Sequence, residues 1–351
     1  LRVTANSLAL QSNGNIVIAG VASNSSLANY DFVAARYLPN GSLDVSFDGD
    51  GRATADIGTY DFGQSVAIQN DGKVVIAGAT QTAGNYDFAV VRFNQNGSLD
   101  STFSGDGKLT TDFGSASDEA SGVAIQADGK LVVVGKTTIG AYSDIAVARY
   151  NSNGTLDTTF DLDGKLTTDI GTRDDEASSV VIQSDNKIVV AGSSVNPNLS
   201  SISYTVLTRY NSNGSLDTGF GSHHGSQLVS ITNPGPSPGT SGANHIALYS
   251  DGRFAIAGYA NSSSTYFDFA VARLLPNGQK DNTFAGDGAL AIAYGNSTDE
   301  GQSVAIGEDG KIIVAGRSNS SAYGYAVTRY RADGSLDTTF AGDGSVFTSI
   351  T

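Results

Sequence analysis

Two charged residues recur at a fixed spacing in this sequence and are the first candidates for chemistry. An arginine ends an apolar run six times, and an aspartate follows each arginine by eight residues. The pairs are Arg36 and Asp44, Arg92 and Asp100, Arg149 and Asp157, Arg209 and Asp217, Arg273 and Asp281, and Arg329 and Asp337. Six carboxylates could make six ligand sites, but a guanidinium can also hold a carboxylate through forked hydrogen bonds. Because a buried arginine without a partner is costly, we expect a structural Arg–Asp contact in each repeat.

A phenylalanine stands three residues after each of these aspartates. The six are Phe47, Phe103, Phe160, Phe220, Phe284 and Phe340. A large apolar ring at a fixed distance from a charged pair is typical of packing between repeated units. We expect each ring to fill the gap between neighbouring sheets.

Two copies continue into a pattern that calcium loops also use. Asp48-Gly49-Asp50-Gly51 and Asp161-Leu162-Asp163-Gly164 place carboxylates at alternate positions, where two of them can reach one hard cation. Three other copies keep only the second aspartate, and no glutamate follows at a fixed distance. An Asx turn, in which the side chain accepts a hydrogen bond from a nearby backbone amide, explains the pattern better. We therefore expect no cofactor, with calcium at these four aspartates as the alternative.

All these residues belong to a repeat of about 57 residues that fills the chain. The segment VAIQNDGKVVIAG at 66–78 recurs in six copies, each with two apolar runs (strands A and B) around a DG, NG or DN pair. Such a pair predicts a tight primed hairpin with positive φ at both central residues. A third, alternating run (strand C) and a short fourth run (strand D) complete a four-stranded antiparallel meander.

Strands A and B are apolar on both faces, so the sheet that they form must be covered on both sides. Radial stacking of four-stranded sheets provides that cover. The sequence therefore predicts an all-β fold, a six-bladed β-propeller of four-stranded antiparallel blades, as a single domain over 1–351. An open solenoid is disfavoured because the terminal copies carry no polar caps. The predicted repeats are approximately 1–58, 59–115, 116–172, 173–238, 239–296 and 297–351.

The motifs of the second copy, VAIQNDGKVVIAG and DFAVVRFNQNGSLDSTFSGDGKLTTDFG (87–114), resemble the delta-60 repeat family of bacterial β-propellers. The resemblance extends over nearly the whole chain. Copies four and five depart from it, since SHHG at 222–225 replaces the GDG element and a Pro/Gly-rich insert follows. The strand order also resembles that of kelch blades. The resemblance implies a propeller, export and a surface context. It carries no established reaction, so no catalytic residue is transferred.

Composition excludes several classes of partner and site. With 20 Lys and Arg against 35 Asp and Glu, the net charge is −15, which repels nucleic acid and anionic lipid. The chain has no cysteine, so disulfides, thiolate catalysis and Cys-bound zinc are not available. No apolar run approaches the roughly 18 residues of a membrane span, so we expect no membrane insertion. Composition favours an exported bacterial protein, extracellular or at the cell surface. We expect the targeting signal to lie outside this numbering, before Leu1.

The connections at the two ends of each predicted sheet differ. The A–B and C–D turns repeat DG or NG, whereas the B–C and D–A loops vary and are rich in Tyr, Ser, Asn and Gly, as evolved binding surfaces are. Acidic residues at this end, including Asp118, Asp175 and Asp299, predict an acidic rim. Each B–C loop also contributes one tyrosine that could contact a ligand or only pack locally at the start of strand C. These candidate ligand-binding residues are Tyr30, Tyr86, Tyr142, Tyr204, Tyr266 and Tyr323.

We expect a non-catalytic recognition or adhesion module that binds a surface glycan or a protein through the variable loops. One alternative is an extracellular carbohydrate-active enzyme, a hydrolase or lyase, which needs paired acids about 5 to 10 Å apart in a deep pocket. The other is a structural spacer in a larger surface protein or filament. No nucleophile motif, metal motif or histidine constellation assigns a catalytic residue.

Overall fold

The computed structural model describes residues 3–23, 29–82, 84–114, 117–171, 173–196, 198, 202–231, 239–261, 266–294, 298–319 and 323–350. Parts of the predicted B–C loops and residues 233–238 of the Pro/Gly-rich insert lie outside the described residues. The chain forms two compact units, Leu1–Thr168 and Asp169–Thr351. The single domain over 1–351 stays a prediction.

The first unit holds three four-stranded antiparallel sheets, each with its strands in chain order. The first sheet is β1 (Val3–Leu10), β2 (Ile16–Ser23), β3 (Tyr30–Tyr37) and β4 (Arg52–Ala55). The second sheet is β5 (Asp61–Ile68), β6 (Val74–Thr82), β7 (Asn85–Phe93) and β8 (Lys108–Thr111). The third sheet is β9 (Asp118–Ile125), β10 (Leu131–Ile139), β11 (Tyr142–Tyr150) and β12 (Lys165–Thr168).

The second unit repeats this arrangement three times. The fourth sheet is β13 (Asp175–Ile182), β14 (Ile188–Val195), β15 (Ser203–Tyr210) and β16 (Ser226–Val229). The fifth sheet is β17 (Ser241–Leu248), β18 (Phe254–Ala260), β19 (Asp268–Leu274) and β20 (Ala289–Ile292). The sixth sheet is β21 (Asp299–Ile306), β22 (Ile312–Ser318), β23 (Gly324–Tyr330) and β24 (Ser345–Ser349). The described chain contains no helix long and apolar enough to cross a membrane.

The core of each unit lies between neighbouring sheets, as strands that are apolar on both faces require. In the first unit, Phe47 of the first sheet packs with Ile76 and Phe93 of the second, and Phe103 packs with Val133 of the third. In the second unit, sheets four and five bury one cluster between them, and sheets five and six bury another. Five of the six recurrent phenylalanines are fully buried, and Phe340 is half-buried.

The A–B turns differ from the predicted primed hairpins. In the second sheet, Gly72 N donates to Gln69 O over 2.8 Å and Gln69 N donates to Lys73 O over 2.9 Å. Gly72 has a φ of 79°, whereas Asp71 before it is not left-handed. This is a type I turn followed by one left-handed residue, which is the next most common connection in hairpins. The prediction of positive φ at both central residues was therefore wrong, and one left-handed residue suffices in all six turns.

A bulge in each first strand explains the recurrent glycine of the second. The pairing of β5 with β6 shifts between Gly63 and Ser65, which brings the backbone of Phe62 close to Gly78. A Cβ atom at Gly78 would lie 1.8 Å from Phe62 O. Only glycine fits there, so the glycine that closes each copied motif is required by the bulge opposite it.

Candidate functional site

The A–B and C–D turns lie at one end of each sheet, which we call the turn end, and the B–C and D–A loops lie at the other, the loop end. At the turn end every repeat holds its Arg–Asp pair in contact. Arg92 Nε donates to Asp100 Oδ2 over 2.7 Å, and the corresponding distance is 2.8 Å in the other five repeats. The second carboxylate oxygen, Asp100 Oδ1, accepts hydrogen bonds from Thr102 N at 3.0 Å and Thr102 Oγ1 at 2.7 Å. The carboxylate is thus fully engaged by its own repeat.

A second cation, which sequence reasoning missed, reaches the same carboxylate. Lys73 Nζ lies 3.1 Å from Asp100 Oδ2, and four further repeats place a Lys or Arg in the same way. The residues are Lys73, Lys130, Lys187, Arg253 and Lys311. The first repeat has Asn15 instead, whose Nδ2 donates to Asp44 Oδ2 over 3.1 Å. The signal was present in the sequence, since these residues directly follow the A–B turn.

In four repeats the arginine also links neighbouring sheets within a unit. Arg92 NH1 donates to Ser152 O over 2.6 Å, and Arg36 NH1 donates to Gln95 O over 2.5 Å, both into the next repeat. The guanidinium carbon of Arg92 lies 4.5 Å from the ring centroid of Phe103. We call the arginine, the aspartate, the phenylalanine and the A–B turn cation of one repeat its clamp. In these repeats the clamp therefore joins two sheets.

The clamp aspartates are held in their charged form. Burial acts to raise the pKa of Asp100, but the hydrogen bonds from Thr102, the Lys73 ammonium and the Arg92 charge outweigh it and lower the pKa to about 2. Asp281 is lowered to about 2 by the same balance, with burial opposed by Thr283 and Arg273. Carboxylates that are ionised and bonded in this way are poorly suited to general acid–base catalysis near neutral pH. Their contacts agree with the structural role that we expect for them.

The candidate calcium aspartates lie in turns next to the clamps. Asp50 Oδ1 accepts a hydrogen bond from Arg52 N over 2.8 Å, and Asp163 Oδ1 accepts one from Lys165 N over 2.9 Å. These are Asx-turn contacts. Asp48 and Asp161 precede them with left-handed backbones, at φ 52° and 46°. Calcium binding by these residues stays a prediction.

Different aspartates come together at the loop end of the first unit. Asp31, Asp56 and Asp61 each offer one carboxylate oxygen within 4.8 Å of the others, and Asp87, Asp112 and Asp118 do the same one repeat later. Burial, followed by the charges of Asp56 and Asp61, raises the pKa of Asp31. Three oxygens are fewer than the six to eight that calcium takes in proteins. These groups could hold a cation only if further ligands joined them.

The buried members of these groups stabilise the D–A loops. Asp61 is fully buried, and its oxygens accept hydrogen bonds from Ile57 N at 2.7 Å and Thr80 Oγ1 at 2.5 Å. Asp118, Asp175 and Asp299 are also fully buried and accept a backbone N–H from the loop that precedes them. The prediction that these three residues belong to an acidic rim is therefore wrong, because their side chains are buried. Each carboxylate instead supplies an acceptor for a loop amide that would otherwise lack one.

Four aromatic rings form a continuous row at the loop end of the first two sheets. Tyr30 lies 5.6 Å from Tyr60 and 5.8 Å from Phe62 between ring centroids, and Phe62 lies 5.9 Å from Tyr86. All four side chains are half-buried. We call these residues the aromatic row. Sequence reasoning named Tyr30 and Tyr86 but missed Tyr60 and Phe62, because these precede or begin strand A and do not recur in the other copies.

A cleft of about 300 Å³ opens beside this row, between the second and third sheets. Phe62 and Tyr86 form its apolar wall, and Gln64, Glu119 and Ser121 provide polar groups. Burial, then the nearby charge of Glu119, raises the pKa of Tyr86, so its hydroxyl remains a hydrogen-bond donor at neutral pH. The size is at the lower end of the range for small-ligand sites. We call it the aromatic cleft.

The other candidate tyrosines lie in different surroundings. Tyr142, Tyr266 and Tyr323 are exposed, at 38%, 45% and 75%. The hydroxyl of Tyr204 accepts a hydrogen bond from Asn196 Nδ2 over 2.8 Å within its own loop. Within the first unit, the structure thus joins Tyr30 and Tyr86 through Phe62.

The sequence matches the model of one protein family, a domain of unknown function (DUF5122) described as a β-propeller. The matches cover residues 11–47, 69–103, 126–160, 183–220, 250–284 and 308–340. One match falls in each of the six sheets. The predicted fold class, a six-bladed β-propeller of four-stranded antiparallel blades, is confirmed. No curated protein matches the chain.

Several solved structures are similar in fold at low sequence identity. An ulvan lyase of a new polysaccharide-lyase family, bound to -[GlcA(1-4)Rha3S]-, has a TM-score of 0.54 at 11% identity, covering 99% of this chain and 86% of that one. A Dyadobacter fermentans protein of unknown function has a TM-score of 0.49 at 13% identity, with 90% of each chain covered. A gluconolactonase from Xanthomonas campestris has a TM-score of 0.40 at 9% identity, covering 90% of this chain and 95% of that one.

Proposed function

We propose, from the premise that the chain belongs to the DUF5122 β-propeller family, that it is a non-catalytic recognition module for a glycan. The aromatic cleft, with the aromatic row beside it, would be the binding site. The proposal further places the protein outside the cell or on the cell surface, with a surface glycan as its partner, alone or within a larger surface protein. The delta-60 repeat type, which implies that context, belongs to the same proposal.

The observation that carries the proposal is the aromatic row beside a cleft with polar groups. A flat ring can cover the apolar face of a sugar, while its neighbours bond the hydroxyl groups. Phe62 and Tyr86 offer two such faces at an interplanar angle of 58°. Gln64, Glu119 and Ser121 offer donors and acceptors around them. The scaffold below is rigid because the sheets on both sides are packed to their cores.

The arrangement of carboxylates supports recognition over hydrolysis. Among the described residues, Glu119 is the single acid that lines the aromatic cleft. The oxygens of Asp31, Asp56 and Asp61 lie within 4.8 Å of one another, and both oxygens of Asp61 are bonded to the D–A loop and Thr80. Glycoside hydrolysis uses two free carboxyl groups about 5 to 10 Å apart. The likeness to a lyase at 11% identity concerns the fold alone.

The test is a glycan binding screen with the intact protein, followed by substitution of Tyr86. For any glycan that binds, we expect Tyr86→Ala to weaken binding at least tenfold and Tyr86→Phe to retain most of it, because the ring supplies the contact. Tyr325→Ala is the matched control, since Tyr325 is 61% exposed on the sixth sheet and far along the chain from the cleft. Unchanged binding in Tyr86→Ala would refute the site. Shortening of the glycan by the wild-type protein would establish the enzyme alternative.

A further inference from the structure

A larger cleft lies at the turn end of the first two sheets. Its volume is about 800 Å³, within the range of small-ligand sites. Amide side chains dominate its wall, among them Gln11 and Asn15 of the first A–B turn and Gln69 and Asn70 of the second. We call it the amide cleft. Arg36 and Asp44 are the charged residues in its described lining, and they are paired with each other at 2.8 Å.

This cleft coincides with the one repeat whose clamp departs from the others. In five repeats the A–B turn carries an aspartate two residues before a Lys or Arg, and the two side chains form an ion pair, such as Lys73 with Asp71 at 3.4 Å. The first repeat has Asn13 and Asn15 at these positions. The exchange removes one negative and one positive charge, and it replaces a long side chain by a short one. The net charge of the turn is unchanged, but its polar groups become neutral.

We propose that the amide cleft is a second binding site, for a neutral hydroxyl-rich ligand such as a saccharide unit. An amide side chain both donates and accepts hydrogen bonds, as a sugar hydroxyl does, so a wall of amides complements hydroxyl groups without attracting a charged ligand. The acceptor Gln11 Oε1 is buried and has no hydrogen-bond partner among the described residues, whereas Gln11 Nε2 donates to Gly72 O over 3.1 Å. A ligand hydroxyl would satisfy an acceptor that otherwise costs free energy.

The site is independent of the aromatic cleft. It lies at the turn end of the first and second sheets, whereas the aromatic cleft lies at the loop end of the second and third sheets. A failure of the proposed function at the aromatic cleft would leave the proposal for the amide cleft intact. A failure at the amide cleft would likewise leave the proposed function intact. Variants at each end therefore report on separate sites.

The experiment rebuilds in the first repeat the turn that the second repeat uses. Neutral sugars (glucose, galactose, mannose, N-acetylglucosamine and their disaccharides) are titrated into the intact protein and binding is followed by ligand-observed NMR. Gluconate and glucosamine serve as charged counterparts. The double variant N13D/N15K should lose affinity for the neutral sugar at least tenfold. Its fold should survive, because the introduced lysine would approach Asp44 as Lys73 approaches Asp100.

The matched control makes the opposite exchange in the sixth repeat. D309N/K311N removes the ion pair at 2.8 Å and should leave sugar binding unchanged. Tyr86→Ala should leave it unchanged as well. The affinity for a free sugar is compared with the affinity for the end of a polysaccharide. This comparison distinguishes a soluble saccharide from a glycan chain as the ligand. If no neutral sugar binds at millimolar concentration, if N13D/N15K binds as the wild type does, or if the charged counterparts bind better, the proposal is overturned.

Discussion

Aspartates at the two ends of the sheets experience opposite surroundings. At the turn end, Asp100 lies between two cations and a threonine, and its pKa falls to about 2. At the loop end, Asp31 lies near Asp56 and Asp61, and burial with their charges raises its pKa. The surroundings thus favour the charged form of aspartate at the turn end and disfavour it at the loop end. The difference separates an end where Lys and Arg balance the recurrent aspartates from an end where neighbouring carboxylates without such cations lie near aromatic surface.

The largest effect expected at the turn end comes from removing a clamp carboxylate. Asp100→Ala leaves Arg92 and Lys73 without their shared partner, and Arg92 is only 3% exposed. Breaking a buried pair in this way should lower the free energy of unfolding by about 3 to 5 kcal/mol. Chemical denaturation measures the change. Asp87→Ala, at the loop end of the same sheet, is the control and should cost less than about 1 kcal/mol. Equal losses in the two variants would abolish the distinction between the ends.

A somewhat smaller loss should follow when the clamp ring is removed. Phe103 is fully buried between the second and third sheets and lies under the Arg92 guanidinium. Phe103→Ala should lower the free energy of unfolding by about 3 kcal/mol through the cavity that it leaves. The half-buried Phe62 at the loop end provides the comparison, because Phe62→Ala should cost less while affecting glycan binding more. A Phe62 variant that is the less stable of the two would contradict this assignment.

Acid should weaken the turn end first. The pKa of Asp100 is lowered from 3.8 to about 2 in the folded protein, so its contribution is complete above pH 4 and is lost as the pH falls towards 2. At about 1.4 kcal/mol per pKa unit, this one group accounts for about 2 to 3 kcal/mol. Asp31 acts in the opposite direction, since its raised pKa means that protonation favours the folded state. Denaturation curves between pH 2 and 6 measure the sum of these contributions to the free energy of unfolding. In Asp100→Asn this free energy should fall less steeply as the pH decreases. An unchanged pH dependence in this variant would show that the clamp does not determine the stability of the protein in acid.

Recurrence within the chain explains how much could be predicted. The clamp arginine, aspartate and phenylalanine recur six times at constant spacing, so their contact, the four-stranded meander and the fold class followed from the sequence. Lys73 and its counterparts recur almost as regularly, but only the folded structure shows that they reach the clamp aspartate. The aromatic row could not be predicted, because Tyr60 and Phe62 occur in one repeat alone and meet Tyr30 only across two sheets. The role of residues that break the repeat, such as Asn13 and Asn15, can be inferred only from the residues around them in the folded protein.

The smallest expected effect tests whether the loop-end carboxylates repel one another or hold a cation. Burial is the main cause that raises the pKa of Asp31 and of Asp61, and the charge of the exposed Asp56 adds to both shifts. Asp56→Asn should therefore increase the free energy of unfolding at pH 7 by up to about 1 kcal/mol, and NMR titration should show a lower pKa for Asp31. Calcium against EDTA should leave the melting temperature of the wild type unchanged under the same conditions. If calcium instead raises it, and the rise disappears in Asp56→Asn but not in Asp50→Asn, these carboxylates bind a cation with ligands from elsewhere, and the repulsion argument fails at this end.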